Sequence, residues 1–168
     1  MSTLYPGKIL VPFAHGLTIA VLTIMLEEIS GAYFNPATTL AATLCGQLQP
    51  WILLPLYVVC QLFGGFIGSL FVRASMSENT FLLINGGTTN LHDETFTPAQ
   101  GFVVETLITF FLVSSVIHAE IDREAILGAW SMGMALFVAM LAGSQVTDGS
   151  ANPARSTGPA IVYSIFYK

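Results

Sequence analysis

Four stretches of the chain stay apolar for long enough to cross a bilayer: Ile9 to Leu26, Trp51 to Val72, Pro98 to Ile117 and Ala125 to Thr147. At about 1.5 Å per residue, some 20 residues cover a hydrocarbon core of about 30 Å, so the pattern predicts four transmembrane helices. Polar interruptions are sparse. His15 stands within the first stretch and Glu105 is the one acid of the third, while the second and fourth carry no charged residue. Two further apolar segments, Pro36 to Cys45 and Pro153 to Tyr163, are shorter. About ten residues reach only roughly 15 Å, half of the core, so they are predicted as half-helices. Backbone that stops at membrane depth is tolerated only where protein buries it or where it lines a wet cavity.

Both short segments open on one triplet: Asn35-Pro36-Ala37 and Asn152-Pro153-Ala154, 117 positions apart. Proline drives the preceding residue out of the α region and itself fits the first helical position, which makes each asparagine an N-cap. Its side-chain oxygen then accepts from a first-turn amide and its NH₂ is left to donate outward, at the positive end of a helix. Taken singly, such a triplet also suits an ordinary capped helix in a soluble core.

Composition favours the membrane. Hydrophobic residues make up 54%, charged residues 9%, and the mean hydropathy is +0.72, where a soluble domain carries about a quarter charged residues. The net charge of −5 is scattered, without the basic cluster that nucleic acid requires, so membrane lipid is the expected partner and nucleic acid is not. Cys45 and Cys60 have no metal-ligand or redox spacing and read as buried packing residues; no metal site and no cofactor are expected. Ser114, Ser115 and His118 lack an orienting acid and an oxyanion loop, so the chain is expected to have no catalytic residues and not to be an enzyme.

The sequence Ser30-Gly31-Ala32-Tyr33-Phe34-Asn35-Pro36-Ala37-Thr38-Thr39-Leu40 and its partner, Asn152-Pro153-Ala154-Arg155-Ser156-Thr157-Gly158-Pro159-Ala160, resemble the two signature loops of the aquaporins, the major intrinsic protein family. The resemblance implies an all-α, multi-pass integral membrane protein: an inverted repeat with two re-entrant half-helices that carries water and small neutral solutes passively. Asn35, Pro36, Ala37, Asn152, Pro153 and Ala154 would line the pore at the midplane. Residues 1–72 are then a partial first repeat (span two, half-helix, span three), 73–97 the connecting loop, and 98–168 a partial second repeat (span four, span five, half-helix). The family repeat has three spans and one half-helix, so the first and sixth spans are expected to be missing, a truncation at both ends. The family also implies a homotetramer or an assembly with full-length subunits. The alternative is a truncated, non-conducting isoform or fragment that associates with full-length channel subunits.

Offsets from the two triplets carry the family's outer constriction onto His15, Met140, Gly149 and Arg155. A set with histidine at its first position and an apolar residue at its next resembles the aquaporin-8 branch, which implies water, ammonia and hydrogen peroxide as solutes. Arg155 keeps its charge and would repel cations. His15 as a satisfied core histidine and Met140 as plain core packing remain open. Ser156 stands where glycerol-conducting relatives usually carry aspartate, which argues against glycerol. Glu105 matches the family glutamate that accepts from the non-helical loop ahead of the second half-helix, a structural buttress. Gly64 and Gly68, four apart, suit close helix packing.

Overall fold

The computed structural model describes residues 6–92, 95–121 and 127–167. Asp93 and Glu94 of the connecting loop, and Ala125 and Ile126 at the start of the expected fourth span, lie outside the described residues. The described chain is helical throughout: α1 (Pro6–Ser30), α2 (Pro36–Leu44), α3 (Leu53–Ser75), α4 (Glu78–Leu83), α5 (Pro98–Ile121), α6 (Gly128–Gly143) and α7 (Pro153–Phe166), with a 3-10 turn at Asn85–Gly87. α1, α3 and α5 each contain 22 or 23 residues long and apolar enough to cross a membrane.

Three boundaries depart from expectation. The fourth span stops early: α6 has 16 described residues and ends at Gly143, because the amides of Val146 and Thr147 both turn back to the Gly143 carbonyl at 3.0 Å. α7 runs on past Tyr163 to Phe166, where Tyr163 and Tyr167 stack with Phe81. The connecting loop is partly folded: Ser77 caps α4 by accepting from the Thr80 amide at 3.2 Å, and α4 buries Phe81 completely.

The helices form two compact units, each drawn from two separate stretches of chain. The first comprises Met1–Tyr33 and Leu91–Ala151 and holds α1, α5 and α6. Ile108, Leu112, Val116 and Ala119 recur along one face of α5 and meet Met132, Ala135, Leu136, Ala139 and Met140 of α6 in its core. On its other side α6 crosses α1 so closely that a Cβ on Gly16 would stand 2.5 Å from the Gly133 carbonyl oxygen, and one on Gly133 would stand 2.6 Å from the Ala20 Cβ. Phe13 and Phe137 meet edge to face beside the crossing, centroids 5.8 Å apart.

The second unit, Phe34–Asn90 and Asn152–Lys168, holds α2, α3, α4, the 3-10 turn and α7. Here the close approach is made by Gly65, whose added Cβ would lie 2.5 Å from the Ala154 carbonyl oxygen, while Gly158 packs on the Gly65–Phe66 peptide. Gly64 and Gly68, expected to make this contact, face open space. At about 100° per residue, Gly64 lies about 100° and Gly68 about 60° round α3 from Gly65, both displaced to the same side. Leu56, Val59, Phe63 and Phe71 on α3 are 60 to 70% exposed, an apolar surface suited to lipid. Cys45 and Cys60 are also exposed, contrary to the expectation of burial, because Cys45 ends α2 and Cys60 lies on the α3 face that carries the exposed Leu56, Val59 and Phe63.

Substitution separates the two kinds of glycine. Gly133→Ala should cost about 1–3 kcal/mol by overpacking and lower the thermal midpoint in detergent, followed by circular dichroism. Gly68→Ala should leave it unchanged or raise it, since alanine favours a helix by about 1 kcal/mol where nothing obstructs it.

Candidate functional site

Both asparagines cap their helices. Asn35 has extended backbone angles, φ −143° and ψ 120°, and its Oδ1 accepts from the Ala37 amide at 2.9 Å. Asn152 adopts φ −153° and ψ 112°, and its Oδ1 accepts from the amides of Ala154 at 2.9 Å and Arg155 at 3.3 Å. Proline at the first helical position has no N–H to satisfy. The triplet therefore brings no donor at its proline and satisfies the Ala37 amide in α2 and the Ala154 and Arg155 amides in α7. The Thr38 and Thr39 hydroxyls bind the Asn35 carbonyl at 2.9 and 2.8 Å, and Gln61 of α3 donates to Thr39 Oγ1 at 2.7 Å, which ties α2 to its neighbour.

The two triplets meet within the second unit. Asn152 Nδ2 donates to the carbonyl of Phe34, the residue before Asn35, at 3.1 Å. One proton of the NH₂ expected to point outward is thus used to join the two motifs. Asn35 is buried; Pro36, Ala37 and Asn152 are half-buried, Pro153 is exposed and Ala154 is buried. Arg155, at the first turn of α7, donates from Nη1 to the Gly87 carbonyl at 2.8 Å and to Thr89 Oγ1 at 3.4 Å. Thr89 shares a second hydrogen bond with Ser156 at 3.0 Å. Gly87 and Thr89 were not evident from sequence, since nothing in the connecting loop marks which carbonyl faces an arginine 66 to 68 positions away.

Glu105 is placed in the first unit at the loop that precedes the second triplet. Its Oε1 accepts from the Thr147 hydroxyl at 2.6 Å and the Ser150 amide at 2.9 Å, and its Oε2 from the Ala151 amide at 2.8 Å. The loop needs such a partner. Asp148, Gly149 and Ala151 have φ of 70°, 63° and 48°, and a left-handed conformation costs a non-glycine residue roughly 1–2 kcal/mol. The Asp148 carboxylate is paired with the His92 ring, and the His92 amide donates to the Val146 carbonyl at 3.1 Å. Ahead of the first triplet, Gly31 and Ala32 have φ of 71° and 51°. They stand 117 positions before Asp148 and Gly149, the offset that separates the two asparagines.

Of the four constriction positions, three belong to the first unit and Arg155 to the second. His15 is half-buried on α1, and its Nδ1 lies 3.0 Å from the Val11 carbonyl, which requires the proton on that nitrogen. Met140 is 2% exposed within the core between α5 and α6. Gly149 rests on its backbone: an added Cβ would stand 2.7 Å from the Met140 carbonyl oxygen. Among the described residues no three histidine, cysteine, aspartate or glutamate side chains gather in a way that would hold a metal ion.

The profile of the major intrinsic proteins matches residues 3–168. The chain belongs to the major intrinsic protein family. It is accordingly an integral, multi-pass membrane protein. It is 36% identical over 151 residues to aquaporin-8 of Rattus norvegicus, covering 89% of this chain and 57% of that protein. It is 37% identical over 157 residues to aquaporin NIP1-2 of Oryza sativa subsp. japonica, covering 88% and 49%. The chain thus spans about half the length of the relatives it matches. The X-ray structure of the aquaglyceroporin from Plasmodium falciparum superposes with a TM-score of 0.79 at 20% identity, over 99% of this chain and 72% of that one, and shares the fold.

Glu105→Gln leaves one oxygen to serve donors that now occupy two. A buried donor left without a partner costs about 1–3 kcal/mol, so the variant should give less folded protein, read as the monodisperse fraction in detergent, than Glu28→Gln on α1.

Proposed function

We propose that this major intrinsic protein forms a pore for passive transport of water and small neutral solutes. The single observation that carries the reading is the junction of the two Asn-Pro-Ala triplets: two positive helix ends, each with an oriented carboxamide, joined through Asn152 and the Phe34 carbonyl. A water that accepts from the asparagines at such a place orients its neighbours in opposite directions, and a cation there is raised in energy by both helix ends. Asn35, Pro36, Ala37, Asn152, Pro153 and Ala154 are the midplane lining in this reading.

His15, Met140, Gly149 and Arg155 are the selectivity filter we assign, and it favours ammonia and hydrogen peroxide beside water. The identity to the rat protein named aquaporin-8 supports that branch. Glu105, through its three hydrogen bonds, is the buttress of the filter loop. Residues 1–72 and 98–168 are read as two partial inverted repeats joined by 73–97. Three features support the repeat at one offset of 117: the asparagine caps, the left-handed pairs Gly31–Ala32 and Asp148–Gly149, and the contact of Gly16 with Gly133. The family also favours a homotetramer. A second reading, a non-conducting subunit that assembles with full-length channels, is favoured by the large exposed apolar surface of α3.

Stopped-flow measurements on proteoliposomes that contain the purified chain separate these readings. The pore reading expects water flux above that of empty vesicles, with ammonia or peroxide uptake and little glycerol entry. Glycerol flux equal to water flux would sink the filter assignment, and no flux without a full-length partner would favour the second reading.

Arg155 supplies the filter with its permanent charge. Removing a charge about 4 Å from a passing cation, at an effective dielectric of about 20, removes about 4 kcal/mol of repulsion. Arg155→Val should therefore raise proton or small-cation leak by about a hundredfold or more in a pH-gradient assay, with water flux kept. Unchanged ion rejection would assign exclusion to the helix ends alone.

A further inference from the structure

The turn that holds Arg155 is itself held from behind. Asn85, Gly86 and Gly87 are consecutive left-handed residues, with φ of 48°, 61° and 75°. Two of the three are glycines, which reach many other conformations as readily, so the shape depends on the contacts that hold it. The turn is closed by the Gly87 amide on the Ile84 carbonyl at 2.9 Å and the Thr88 amide on the Asn85 carbonyl at 3.1 Å, and two rings pack behind it. Phe81 is fully buried, and a Cβ on Gly86 would stand 2.7 Å from Phe81 Cζ and 2.9 Å from Tyr163 Cδ2. The rings are stacked, with centroids 6.3 Å apart and planes inclined by 20°. On α3 the Arg73 guanidinium lies 5.5 Å from the Phe81 centroid, a cation–π contact that holds this ring from another helix.

The residue after Gly86 presents its carbonyl to Arg155 Nη1 at 2.8 Å. Tyr163 stands on α7, the helix that begins with Arg155, about two turns further along. One helix therefore grips the turn at two points, with an aromatic ring at one and a guanidinium at the other. A long side chain is fixed by a hydrogen bond only as firmly as the acceptor is fixed, and an acceptor on a glycine-rich turn is firm only while the turn is clamped.

We propose that Phe81 and Tyr163 are positioning residues for Arg155: packed on Gly86, they fix the Gly87 carbonyl and so the direction of the guanidinium. The consequence for transport rests on the filter reading of Arg155, whereas the clamp itself does not.

An arginine-selective dicarbonyl, phenylglyoxal, tests the clamp on the full chain in detergent, with modification of Arg155 followed by peptide mass spectrometry. Phe81→Leu opens space behind the turn, and Gly86→Ala drives a methyl group into the rings while Phe81 stays intact. Each should speed Arg155 modification by about tenfold at unchanged helical content, as a turn whose open state is about tenfold more populated would do. Leu83→Ala, at an exposed position on the same short helix, should keep the original rate. Folded Phe81→Leu and Gly86→Ala chains that react at the original rate would overturn the proposal. So would loss of folding in both, since the rings would then support the whole unit and not the arginine. In proteoliposomes the same variants should raise cation leak relative to water flux. Faster modification with an unchanged ratio would keep the clamp and remove Arg155 from the filter.

Discussion

A helix that begins buried within the protein must find partners there for its first amides, and much of the second unit is arranged around that requirement. Asn-Pro answers it twice, because the proline brings no donor and the asparagine oxygen takes those that follow. An asparagine used in this way cannot rotate, so its remaining amide protons have fixed directions. Asn152 spends one of them on Phe34, which links the two helix starts. Everything further out, from the threonine hydroxyls on the Asn35 carbonyl to Gln61 on Thr39, keeps α2 and its cap from shifting.

The chain before the second cap faces the same difficulty without a helix to help. Its left-handed residues turn successive amides toward one side, and the Glu105 carboxylate collects two of them together with the Thr147 hydroxyl. A carboxylate is costly in such a place unless its oxygens are well supplied with donors. Here the irregular backbone supplies them, so loop and acid each relieve the other. Gly143 and Gly149 let α6 and the loop touch, which brings the loop within reach of α5.

What the sequence made legible was local. Long apolar runs located α1, α3 and α5, and the Asn-Pro-Ala words located both half-helix starts, because each depends on neighbours within a few residues. What it concealed was decided by distant partners. α6 ends where the Val146 and Thr147 amides turn back to the Gly143 carbonyl and Gly143 packs on Gly149, which no periodicity reveals. α4 is six residues with one buried ring, capped by Ser77 and too short to show a pattern. The spacing of Gly64 and Gly68 pointed to the right helix and the wrong face, since the choice of Gly65 is made by α7. For Arg155 the motif named the residue, and only the folded connecting loop named Gly87 and Thr89 as what it holds.

The contact of Gly16 with Gly133 also has a meaning in time. During synthesis α1 emerges 117 residues before the glycine it fits against, and at about 5–20 residues per second that delay is on the order of ten seconds. Through that interval α1 has its notch but not its partner, and the second unit likewise waits for α7. Neither unit can close on the early half of the chain alone. The quality of the product therefore depends on how well the translocation machinery and the surrounding lipid shelter the early helices until the late ones arrive.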